Sequence, residues 1–118
     1  MLRLLIAEDL DYLREQLVTL LNSSKWITVV GTAEDGQEAV EMCQSLRPDV
    51  VLIDGQMPLQ DDFDPAKHIH QKFPAMRVVT FSSHYLREAS RADRGRANAH
   101  LLQPKTLNEI VKTIRSIY

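Results

Sequence analysis

The sequence predicts one doubly wound α/β domain over residues 1–118, a parallel sheet with helices on both faces. Three observations predict it. Short apolar runs alternate along the chain with amphipathic stretches of helical spacing. The run Val50-Val51-Leu52-Ile53 is continuous and apolar, as a strand covered on both faces requires. Strand-to-helix-to-strand order implies right-handed crossovers and a parallel sheet.

The elements follow in order. Leu2 to Ala7 reads as a buried strand. Leu10 to Leu21 carries apolar residues at 10, 13, 17, 20 and 21, which is helical spacing. Trp26 to Val30 is a strand ended by Gly31, and Asp35 to Leu46 is a helix with Ala39, Val40, Cys43 and Leu46 on one face. Pro48 stops that helix. The third strand is the run at 50–53. Asp64-Pro65 starts the third helix, because Asp is a good N-cap and Pro suits the first helical position. Met76 to Phe81 is the fourth strand, Tyr85 to Arg94 the fourth helix and Ala99 to Leu102 the fifth strand. Thr106 caps a last helix striped by Leu107, Ile110, Val111, Ile114 and Ile117. The whole reads as (βα)5, flavodoxin-like, with strand order 2-1-3-4-5.

Bulk properties narrow the function. A net charge of -2 argues against bulk nucleic-acid binding. The single cysteine, Cys43, excludes an internal disulfide. No apolar run approaches the roughly 20 residues of a membrane span, and Met1 to Ala7 is too short for a signal peptide. The expectation is a soluble, cytoplasmic protein. Charge is uneven: residues 1–83 carry -6 and residues 84–118 carry +4, which suggests two surfaces with different tasks.

In an open α/β sheet, ligands bind beyond the carboxyl ends of the strands, where strand order reverses. Glu8 and Asp9 follow the first strand and Asp54 follows the third, so in this topology the three carboxylates converge. Like charges at that spacing repel, and a hard cation relieves them. Oxygen-only ligands suit Mg²⁺ or Mn²⁺. A carboxylate beside such a metal is also a nucleophile for phosphoryl transfer.

At these residues the chain resembles the receiver domains of two-component response regulators, and within them the subgroup that usually carries a C-terminal helix-turn-helix. The matching segments are Leu5-Ile6-Ala7-Glu8-Asp9, Arg47 to Asp54, Met57-Pro58, Val78 to Ser82, and Leu101-Leu102-Gln103-Pro104. They span essentially the whole chain. The resemblance implies that Asp54 accepts a phosphoryl group from a histidine kinase or a small acyl phosphate. It implies that Asp9 and Asp54 bind the metal, that Gln56 offers its backbone carbonyl, and that Glu8 assists through water. Ser82 would bond the phosphoryl oxygens and report their arrival to the fourth helix. It also implies a homodimer through the fourth helix, fifth strand and fifth helix, with DNA contacted only through a separate C-terminal domain.

The chain departs from the family pattern on the response side. Gln103 stands where the family has lysine, and Lys105 lies beyond Pro104. Gln103 can donate to a phosphoryl oxygen but cannot neutralise its charge, so weaker coupling to output is expected. A cis Gln103-Pro104 bond is expected, as is common for the family's Lys-Pro bond. Asp62 replaces a loop glycine and is expected at positive φ. Arg96-Ala97 replaces a Gly-Ala pair, the stretch from Ser82 to Gln103 is one residue short, and His100 stands at the usual aromatic switch position.

Other groups have plainer readings. Asp61, Asp62 and Asp64 form a solvated acidic loop with a helix cap. His68 and His70, two apart, point to different helix faces and are surface residues. Cys43 and Trp26 are packing residues. Arg87, Arg91 and Arg94 form one basic helix face, either solvated or a docking and dimer surface. Two competing functions stand beside the phospho-acceptor. One is a pseudo-receiver, a protein-interaction module independent of phosphorylation. The other is a small Mg²⁺-dependent phosphatase. Such enzymes usually place a second Asp two residues after the nucleophile, where this chain has Gln56.

Overall fold

A computed structural model of the chain describes residues 1–58, 60, 62–81 and 104–116. Its elements are β1 (Leu2–Ala7), α1 (Asp11–Asn22), β2 (Ile27–Ala33), α2 (Gly36–Leu46), β3 (Val50–Asp54), α3 (Pro65–Lys72), β4 (Arg77–Phe81) and α4 (Pro104–Ser116). The sheet order is β2-β1-β3-β4, and every pair is parallel. This is the expected 2-1-3-4 portion of the sheet. The helix expected over 85–94, the strand over 99–102 and the Gln103-Pro104 bond lie outside the described residues.

Alternation along the strands builds two cores. Leu4 and Ile6 of β1 and Val50 and Leu52 of β3 face α1 and α4, joining Leu13, Leu17, Leu21, Ile110 and Ile114. Leu5 and Ala7, with Val51 and Ile53, face α2 and α3, joining Ala39, Cys43, Ile69 and Phe73. The central strands are therefore apolar on both faces because both faces are covered. Burying each large aliphatic side chain contributes about 1.5–3 kcal/mol.

Two expected boundaries move. Gly31 does not end β2; the strand continues to Ala33. The register slips between Leu4 and Leu5, whose partners are Val29 and Gly31, so Val30 is a bulge. A Cβ on Gly31 would lie 2.6 Å from Met42 Cε and 2.9 Å from Leu46 Cδ1. The glycine thus lets α2 settle on the sheet. The last helix begins at Pro104, not after a Thr106 cap. Proline lacks the amide hydrogen that a first helical turn leaves unbonded, so it starts the helix well.

Other signals hold. The Asp35 and Asp64 side chains accept from Glu38 N at 2.8 Å and Lys67 N at 3.3 Å, capping α2 and α3. A helix ends at Arg47, which takes the left-handed conformation (φ 49) just before Pro48. At the amino end of the sheet, Arg3 N donates to Asp49 Oδ2 at 2.8 Å and Asp49 N to Arg3 O at 2.9 Å, pinning the register of β1 on β3. Among the described residues no helix is long and apolar enough to cross a membrane.

Candidate functional site

The carboxyl ends of β1 and β3 lie side by side, since Ala7 pairs with Ile53. Each strand therefore delivers its next acid to the same place. One carboxylate oxygen from each of Glu8, Asp9 and Asp54 lies within 4.8 Å of the others. Glu8 and Asp54 are buried, while Asp9 is half-buried at the rim.

Burial first, and then hydrogen bonding to and repulsion by Asp54, push the Glu8 carboxyl up to about 10. The Leu10 amide, donating to Glu8 Oε1 at 3.1 Å, pulls the other way. Burial and the neighbouring Asp54 thus favour the protonated form of Glu8 when no cation is near. The donors are oxygen only, close together and anionic. That set fits one hard divalent cation, with room at the rim for water.

Asp54 is held from its own turn. Gln56 N donates to Asp54 Oδ1 at 2.8 Å, Met57 N to Asp54 O at 3.2 Å, and Gly55 N to Phe81 O at 2.8 Å. The turn after β3 is thus tied to β4. A cleft of about 300 Å³ opens onto Asp54, walled by Met57, Pro58, Phe63, Pro65 and Ala66. Gly36 makes the far wall possible, because a Cβ there would lie 2.8 Å from Pro65 Cγ.

The sequence-derived candidates divide cleanly. Glu8, Asp9 and Asp54 come together, and Gln56 is exposed on the adjoining turn. Asp62 takes φ 59, as its place in a glycine position implied. His68 and His70 are exposed, and His68 rests on the Phe63 ring at 5.2 Å between centroids. Cys43 is buried, and Trp26 packs at the edge of the α1 core beneath Arg115, 5.5 Å from its ring. Ser82, Gln103, His100, Arg87, Arg91, Arg94 and Asp61 lie outside the described residues.

One participant escaped the sequence reading. Arg14 of α1 donates from Nη1 to Glu8 O at 2.9 Å, pairs with Asp11 at 2.5 Å and lies 3.6 Å from Glu34. The available signal was a cation in the first helical turn after an acid pair. In sequence it is indistinguishable from any polar helix position.

A family model described as "Response regulator receiver domain" matches residues 4–115. The chain is 33% identical over its full length to the transcriptional regulatory protein LnrK of Bacillus subtilis, of which it covers 54%. It is 38% identical over 95% of its length to the transcriptional regulatory protein PdtaR of Mycobacterium tuberculosis, again covering 54%. The chain thus spans about half the length of these curated relatives. Among solved structures, the response regulator domain of Thermotoga maritima CheB superposes with a TM-score of 0.75 at 29% identity, covering 98% of this chain and 95% of that one.

Proposed function

The chain belongs to the response regulator receiver domain family of two-component systems, and from that premise we propose that Asp54 accepts a phosphoryl group from the phosphohistidine of a histidine kinase. The observation that carries the proposal is the convergence of Glu8, Asp9 and Asp54 within 4.8 Å at the carboxyl ends of adjacent strands. An oxygen of Asp54 attacks phosphorus, the P–N bond to imidazole breaks, and an aspartyl phosphate forms. Asp9, Asp54 and the Gln56 carbonyl, with Glu8 assisting, would hold Mg²⁺ or Mn²⁺, which when bound would neutralise charge on the transferring group. The chain's own part is orientation: the Gln56 amide fixes one Asp54 oxygen at 2.8 Å, and the cleft beside Asp54 admits the donor.

On this reading Ser82 receives the phosphoryl oxygens and Gln103 takes the place of a lysine that would neutralise them. A neutral donor contributes about 1 kcal/mol where a charged one contributes roughly 1.5–3, so the acceptor chemistry is retained while the response is muted. Arg87, Arg91 and His100 then belong to the output surface, through which a homodimer or an attached DNA-binding domain is engaged.

Intact-mass analysis after incubation with Mg²⁺ and acetyl phosphate tests the acceptor. One added phosphoryl mass is expected on the wild type and none on Asp54→Asn. An adduct that survives the substitution would move the acceptor elsewhere. No adduct on the wild type would leave a phosphorylation-independent interaction module instead.

A further inference from the structure

Resting on the metal-binding reading above, we infer that Arg14 is the positioning residue of the acidic pocket: it locks the peptide that joins Glu8 to Asp9. The carbonyl it holds, Glu8 O at 2.9 Å, belongs to that very peptide. Holding this peptide fixes the backbone from which the Glu8 and Asp9 side chains both project, next to Asp54.

The same turn is held from its other side by the Leu10 amide, which donates to Glu8 Oε1 at 3.1 Å. Leu10 stands at the N-cap of α1, and it offers no side-chain cap. Upstream, Glu8 N donates to Ala33 O at 3.0 Å, which anchors the strand end. Arg14 reaches it from one turn into α1, where Arg14 N is itself bonded to Leu10 O at 2.9 Å. Its side chain is only 14% exposed, against 81% for Asp11 and 68% for Glu34. The two exposed acids therefore steer a guanidinium whose working contact is the sheltered carbonyl. Glu34 precedes α2, so the same side chain also spans from the loop after β1 to the loop after β2.

Sign separates this role from a plain electrostatic one. A guanidinium near a cation site repels the cation, so removing it should tighten metal binding on charge alone. Removing a positioning residue should weaken binding, by about tenfold as for other groups that orient metal ligands. A merely structural residue would change stability and leave affinity alone.

The experiment is calorimetric titration of Mg²⁺ into the wild type, Arg14→Gln and Arg14→Lys, with melting curves in EDTA alongside. Weaker binding is expected for Arg14→Gln, with Arg14→Lys in between, because lysine can reach the carbonyl but cannot fork to Asp11. Unchanged or tighter binding in Arg14→Gln overturns the inference, whatever happens to its melting temperature. If Arg14→Gln does not fold, wild-type affinity in a folded Arg14→Lys overturns it equally. A wild type that binds no Mg²⁺ overturns the metal reading and this inference with it; a wild type that binds, with both variants matching it, overturns this inference alone.

Discussion

Cys43 and Glu8 are both fully buried, and burial pushes both groups upward, the thiol to about 11 and the carboxyl to about 10. For Cys43 there is no cluster to complicate the consequence. Its folded value lies above the ordinary 9.0, so the stability it permits is complete below 9. It is lost as pH rises from 9 towards 11, because the unfolded chain gives up the proton first. Melting should therefore fall across that window in the wild type and fall less in Cys43→Ala. Native protein should also resist iodoacetamide at about pH 8 and react once denatured, since only an exposed thiolate is nucleophilic. Rapid native alkylation, read by mass, would contradict the packing of α2 on the sheet. At this scale the sequence was informative where a residue type has few uses. Acids directly after apolar strands, and an Asp in a glycine position, announce themselves. Arg14 does not, because its target is a backbone carbonyl that no sequence pattern marks.

Element ends show the same division. Asp35 and Asp64 were readable as caps, and both accept a backbone amide of their helix. They should not be equal. The Asp35 bond is 2.8 Å and partly buried, whereas that of Asp64 is 3.3 Å and exposed. Asp35→Ala should lower stability by about 1 kcal/mol, and Asp64→Ala by less, as measured by urea denaturation. Equal losses would mean that the longer bond caps as well as the shorter. Gly31 was misread because glycine in an apolar run signals a turn as readily as a close approach. Only the partner helix, with Met42 and Leu46 above it, distinguishes the two. Pro104 was misread for a similar reason: proline after a strand-like run suits a loop and a helix start alike.

Across the whole molecule, the topology that gives each central strand two covered faces also brings two buried carboxylates and a half-buried third into one corner. Repulsion and desolvation in that corner should cost stability when no cation is present. The doubly wound sheet was legible because strands alternate with helices and continuous apolar runs demand cover on both sides; the convergence of Glu8, Asp9 and Asp54 followed once the common 2-1-3-4-5 order was supposed. The side-chain geometry around them did not, since it depends on loop peptides fixed by contacts distant in sequence. The conflict has a measurable form. Mg²⁺ at ten times its dissociation constant should stabilise the wild type by about 1.4 kcal/mol, or a rise of roughly 6 °C in Tm for a domain of this size. Asp54→Asn removes a buried charge while keeping an oxygen for the Gln56 amide. It should melt higher than the wild type in EDTA, by roughly 1 kcal/mol, because functional sites commonly reduce stability. It should also lose most of the response to Mg²⁺. Scanning calorimetry of both proteins, with and without the metal, reads all of this at once. A variant less stable than the wild type in EDTA would show that Asp54 holds the sheet together instead of straining it.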